Sequence, residues 1–204
     1  MYTPAQFAIT DTASMHEIMR TNSFATIVTD AGGLVASHLP FMVAEGGERG
    51  LGVLRAHMAR ANGQWRAFDG EVEALVIFQG THGYISPSWY GPGPAVPTWD
   101  YVAAHAYGRP RIVGDEAAVL SMLGDLVDQN EAGRAGRWSM SSQDGEYLRK
   151  LSHGVVAFEI AIERLEGKAK LGQTRSADQP RVVEELRGLG ADALAAAIAT
   201  ANPA

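Results

Sequence analysis

The sequence has no cysteine among its 204 residues, which removes disulfides, thiolate metal sites and cysteine nucleophiles together and matches a reducing compartment. It has no apolar run near the roughly 18 to 20 residues that a membrane helix needs. Its start, MYTPAQFAITD, lacks the basic opening and long apolar stretch of a signal peptide. Positive charge is not in excess: 17 Lys plus Arg face 23 Asp plus Glu, a formal charge of −6, so no global field can hold a polyanion. Nonspecific nucleic-acid binding is therefore disfavoured, and a cytoplasmic protein without a membrane span is the expectation. What the chain does have is 46% hydrophobic residues, enough for one substantial core, which excludes disorder as a description of the whole.

Periodicity divides the chain into a β-rich first half and a more helical second half. Met15, Ile18 and Met19 fall at helical spacing between Asp11 and Asn22, with Ser14 and Glu17 set as a capping box. FATIVT, the glycine turn DAGG and LVASHLPFMVA read as a hairpin, and LGVLRAHMA as a third strand. EALVIFQG, from Glu73 to Gly80, is the most continuous β candidate, and Trp99 to Val113 reads as another strand after the loop GPGPAVPT. Beyond Asp115 the apolar positions Val119, Leu120, Met122, Leu123, Leu126 and Val127 fit a capped helix, and SSQDGEYLRKLSHG suggests a second one. VVAFEIAIERLEG returns to alternation as a last strand, and Asp178 with Pro180 can open a helix before the Ala-rich ADALAAAIATA. These elements predict a mainly β chain with α (α+β) built on an antiparallel barrel or sandwich. They form one domain over residues 1–204, with a C-terminal helical extension at about 176–201.

The six histidines show no metal-ligand spacing such as HExxH. There is also no G-x-G-x-x-G, Walker loop or G-x-S-x-G elbow, so no catalytic residue and no metal site is assigned. The best anion site is HMARANGQW, where His57 and Arg60 end a strand at the mouth of a turn. A solvated Arg60 and a His57 stacked on Trp65 account for the same spacing equally well. Trp65, Trp89 and Trp99 are candidate flat walls for a ring, or ordinary packing residues.

The ordered blocks SFATIVTD, ASHLPFMV, LRAHMARANGQW, EALVIFQGTHGYISPSWY, VPTWDYVAAHAYGRP and LEGKAKLGQTR together resemble the PaiB family, from about Tyr2 to about Gly190. That resemblance implies an antiparallel, FMN-binding split β-barrel of the pyridoxamine phosphate oxidase group with peripheral helices. It also implies a homodimer with the cofactor site at the interface, and a role as a negative transcriptional regulator. By the same resemblance His38, Leu39 and Pro40 reach the flavin from the second barrel strand, and His57, Ala59 and Arg60 hold the FMN phosphate. Gln79 faces the ring, and Lys170 and Gln173 approach FMN from the closing block.

The chain departs from the family pattern in three places. It has Asn62-Gly63-Gln64-Trp65 for Asn-Pro-Gln-Trp, Thr98-Trp99-Asp100-Tyr101 for Thr-Trp-Asn-Tyr, and KLGQTR for KLSQNR. Gly63 is expected to loosen its turn, Asp100 to add a negative charge, and Gly172 to lose a hydroxyl. Direct DNA contact finds little support. The two helices after Asp115 are separated by about ten residues, longer than a helix-turn-helix turn. The basic cluster Lys168, Lys170, Arg175, Arg181 and Arg187 is diluted by Asp178, Glu184 and Glu185. Regulation through a DNA or a protein partner, a flavin-dependent oxidoreductase, and a haem protein of the split-barrel kind are the functions to be weighed.

Overall fold

The computed structural model describes residues 1–203. In chain order the strands are β1 (Ala8–Ile9), β2 (Phe24–Asp30), β3 (Leu34–Ala44), β4 (Val53–Ala59), β5 (Ala74–Ile85), β6 (Thr98–Gly108), β7 (Pro110–Ile112), β8 (Val155–Ala161) and β9 (Arg164–Lys170). The helices are α1 (Thr12–Thr21), α2 (Glu116–Glu131), α3 (Gly145–Ser152), α4 (Gln179–Gly188) and α5 (Asp192–Ala201). They build two compact units. The first holds Met1–Asn22, Phe78–His105 and the chain from Glu166 onward; the second holds Ser23–Ile77 and Ala106–Leu165.

In the second unit the strand order is β5-β2-β3-β4-β8-β7, with antiparallel pairing from β2 outward in both directions. The β2–β3 hairpin closes at Gly32 and Gly33, both at positive φ, as the DAGG turn requires. Alternation sends Leu54, Ala56 and Met58 of β4 into the core, where Phe158 of β8 meets the Phe41 and Phe68 rings. On the opposite face Met42 and Ala157 carry α2 through Met122, with Val119 and Leu126 alongside. α2 starts where Asp115 accepts the amide of Ala118 at 2.8 Å.

In the first unit β1-β9-β6-β5 is the strand order, and β1 pairs antiparallel with β9. The pair α4 and α5 buries Val182, Val183, Leu186, Leu194 and Ile198 against Ile85, Tyr90 and Leu171. Gly167 is needed for packing: a Cβ there would lie 2.8 Å from Ile9 and Met15 side-chain atoms.

Four expectations are corrected. The cap of α1 is Asp11, accepting from Ala13 and Ser14 amides at 3.2 and 2.8 Å, because its carboxylate reaches the free amides directly. The strand expected over Trp99 to Val113 divides into β6 and β7 at Arg109–Pro110, since proline has no amide to continue a ladder. The last expected strand is two, β8 and β9, broken at Ile162–Glu163. Asp178 stands at the N-cap of α4 with Pro180 in its first turn, as expected, but its carboxylate makes no bond to the helix amides and instead accepts from Gly91 and Arg175.

Candidate functional site

β4 ends at Ala59, and the chain turns through Arg60 into a short 3-10 turn at Gly63–Ala67. Two side chains lock that turn onto the hairpin. Asn62 caps the Gln64 amide at 3.0 Å and donates to Ser37 Oγ at 2.8 Å. Gln64, 6% exposed, donates to Thr29 Oγ1 at 3.0 Å and to the Val35 carbonyl at 3.1 Å. The turn is thus tied to the hairpin by side-chain hydrogen bonds in the place of the family's proline. A Cβ at Gly63 would meet only the end of the flexible Arg66 side chain.

Arg60 is fixed by its own neighbours. Its Nε donates to the His153 carbonyl at 2.7 Å and Nη2 to the Val155 carbonyl at 2.8 Å, while Trp65 Nε1 donates to the Arg60 carbonyl at 2.9 Å. Its guanidinium carbon lies 6.0 Å from the Trp65 ring centre, and that of Arg66 lies 5.4 Å from the same ring. Neither arginine has an acidic partner among the described residues. Two uncompensated guanidiniums therefore flank one indole at an exposed corner. His57, opposite Ala157 on β8, does not join them as a cation: desolvation by burial lowers its pKa, so it can offer an N–H but no charge at neutral pH. Arg66 carries no signal in the sequence until the turn places it on Trp65.

The hairpin supplies a flat face in the same unit. Register sets Thr26 against His38 and Phe24 against Pro40, so His38 and Pro40 share a face and Leu39 points into the core. His38 Nδ1 and Thr26 Oγ1 are 2.9 Å apart, and the His38 ring stacks at 25° to that of Phe24. Phe24 is 71% and Leu34 78% exposed, an apolar surface open to solvent.

The remaining expected residues lie in the first unit. Gln79 is exposed on β5 with Nε2 3.3 Å from His82 Nδ1, and His82 stacks on the exposed Trp99, which Tyr84 meets edge-on. Gln173 is spent locally: Oε1 accepts from the Leu171 amide at 2.8 Å and Nε2 donates to the Ala169 carbonyl at 2.7 Å. Lys170 Nζ is held by Thr98 Oγ1, the Trp99 carbonyl and Asp100 Oδ1. Asp100 is 2% exposed, and burial raises its pKa while Lys170 opposes that shift. The negative charge expected there is thus compensated in place. Gly172 has φ +77, and a Cβ on it would sit 2.4 Å from the Gln179 amide. The hydroxyl missing at this position is replaced by a glutamine packed against bare backbone.

With this geometry in hand, comparison with known proteins places the chain. Residues 1–164 match the family described as "Putative FMN-binding domain". The chain is 32% identical over 189 residues to protease synthase and sporulation protein PAI 2 of Bacillus subtilis, covering 92% of this chain and 89% of that protein. An uncharacterized Emericella nidulans protein, AN0679, is 30% identical over 233 residues, covering 95% and 93% of the two chains. Among solved structures, the FAD and heme binding protein from Mycobacterium smegmatis superposes with a TM-score of 0.61 at 18% identity, covering 80% of this chain and 73% of that one. The flavocytochrome Anf3 from Azotobacter vinelandii gives 0.61 at 15% identity, covering 80% and 69%. The shared fold is the antiparallel split β-barrel with helices.

Proposed function

We propose, from the premise that this chain belongs to the PaiB family of FMN-binding domains, that it is a homodimeric, cytoplasmic flavoprotein acting as a negative regulator of transcription. FMN is its cofactor. The observation that carries the site assignment is the pair of guanidiniums, Arg60 and Arg66, flanking Trp65 without acidic partners. That donor set fits a phosphate, because one held guanidinium, Arg60, and one mobile one, Arg66, can share one dianion at a solvent-facing corner. The hairpin face of His38, Pro40 and Phe24 fits a flat ring: it is apolar, and it offers hydrogen-bonding groups in His38 and Thr26.

When bound, FMN supplies hydride and electron transfer. Everything else falls to the chain. Arg60 and Arg66 take the anion, His57 contributes a neutral N–H, and Ala59 lets the strand end approach closely. Leu39 supports the face from the core side. Gln79 has hydrogen-bonding capacity to offer a ring edge, whereas Lys170 and Gln173 shape β9 and the turn that follows it. A second copy covers the exposed Phe24 and Leu34 side chains, whose burial favours dimerisation.

The regulatory part draws on family membership. The connection between α2 and α3 runs from Ala132 to Asp144, too long for a helix-turn-helix, so regulation through a protein partner is favoured over direct operator reading. Deleting the gene should raise a defined set of transcripts, restored by the wild-type gene and not by an Arg60→Ala/Arg66→Ala variant; an unchanged transcript profile refutes regulation. A flavin-dependent oxidoreductase is the second reading, favoured by the exposed His82, Trp99 and Tyr84 rings on which a substrate ring could stack. Sustained oxidation of a reduced nicotinamide by the FMN-loaded protein supports it, and no turnover removes it.

A further inference from the structure

A cavity of about 440 Å³ lies wholly within the first unit. Phe7, Tyr90 and the loop residues Pro94 and Val96 form its apolar wall; Asp100 and Arg175 lie on its polar side. The loop is fixed at two points, by the Gly91 amide donating to Asp178 Oδ1 at 2.9 Å and by Arg175 Nη2 donating to the Pro94 carbonyl at 2.8 Å. The cavity is therefore preformed, and its volume is that of a site for a one- or two-ring molecule.

Its charges are closed within its own walls. Lys170 gives its ammonium to Thr98, Trp99 and Asp100 and has no donor left for a ligand. Arg175 is paired with Asp178 at 3.2 Å and lies with its guanidinium carbon 4.7 Å from the Tyr90 ring centre. An entering carboxylate or phosphate meets no uncompensated cation, and an ammonium meets no uncompensated anion. What stays open is hydrogen bonding. Asp100 has one oxygen on Lys170 and its other oxygen without a hydrogen bond among the described residues. Arg175 retains N–H groups beyond those given to Asp178 and Pro94. Gln179, 2% exposed, has an Oε1 with no partner, and its amide packs against Gly172 of the cavity wall. Gln179 thus backs the wall at Gly172, and the acceptor that faces the cavity is the second oxygen of Asp100.

We propose that this cavity binds an uncharged planar ring carrying an amide edge, its N–H directed to Asp100 and its carbonyl to Arg175. The inference does not rest on the flavin assignment, whose anion-binding and ring-face residues, Arg60, Arg66, His38 and Pro40, belong to the second unit.

The test uses the full chain, with and without saturating FMN, and three isosteric probes: nicotinamide, nicotinate and 3-picolylamine. Binding is read by protein-observed NMR. Nicotinamide should bind about tenfold more tightly than either charged isostere, shifting the Gly91–Pro97 loop signals. Asp100→Asn, which keeps an acceptor for Lys170 but removes the neutralising charge, should reverse the order in favour of nicotinate. Nicotinate binding the wild type as well as nicotinamide does, an unchanged order in Asp100→Asn, or shifts confined to residues that do not line the cavity would overturn the proposal. Release of FMN by nicotinamide would overturn it too, since the cavity would then belong to the flavin.

Discussion

Replacing Arg66 by Ala isolates the phosphate grip. Arg66 sits exposed on the 3-10 turn with its guanidinium carbon 5.4 Å from the Trp65 ring centre, and it makes no hydrogen bond or ion pair among the described residues. Its removal therefore leaves the backbone and the Asn62 and Gln64 locks untouched. A unit charge pair at 4 Å is worth about 1 kcal/mol in bulk water and about 4 at an effective dielectric of 20. Screening at an exposed corner favours the lower end, so FMN should bind about tenfold more weakly. Riboflavin lacks the anion, and its affinity should change by less than about twofold. Adding Arg60→Ala should weaken FMN binding further, by an amount that departs from simple addition because both guanidiniums face the same phosphate. The assay is flavin fluorescence titration of both ligands at low and high salt, the wild-type preference for FMN shrinking as salt rises. Equal losses for FMN and riboflavin in Arg66→Ala would refute the assignment.

Gly172→Ala should destabilise the fold by about 2 kcal/mol, from its left-handed backbone and its collision with Gln179. Gln179→Ala should recover part of that loss in a urea double-mutant cycle, and purely additive effects would contradict the packing. His57 has its folded pKa lowered below 6.5 by burial, so it contributes stability that is present above pH 6.5 and lost as pH falls from there through the folded pKa. The urea midpoint of His57→Gln should accordingly fall less between pH 7.5 and 5.5 than that of the wild type; parallel curves would sink this. Phe24→Asp should convert a sedimenting dimer to monomer, and an unaltered dimer would move the interface off the hairpin face. The purified protein should show flavin absorbance alone, and a Soret band would show haem in its place.

Elements with strong local codes are legible in the sequence. The β2–β3 hairpin announces itself through alternation around DAGG, and α2 through the Asp115 cap. β8 and β9 are not separable, because apolar alternation continues across the Ile162–Glu163 break. At the site, the corner ending in Arg60 follows from HMARANGQW, but the role of Arg66 depends on the pitch of a 3-10 turn. The sharing of a face by His38 and Pro40 follows from the period of two. The neutral state of His57 does not, since desolvation depends on what packs over the strand. Lys170 with Asp100 is a contact between β9 and β6, about 70 residues apart, which no local pattern encodes.

The measurement that bears most directly on the account is the visible absorption spectrum of the purified protein, taken before and after incubation with FMN and desalting. Retention of a flavin spectrum, with FMN kept in preference to riboflavin, is the predicted result. A colourless protein that holds neither would contradict the claim that the Arg60–Arg66 corner and the hairpin face form a working FMN site.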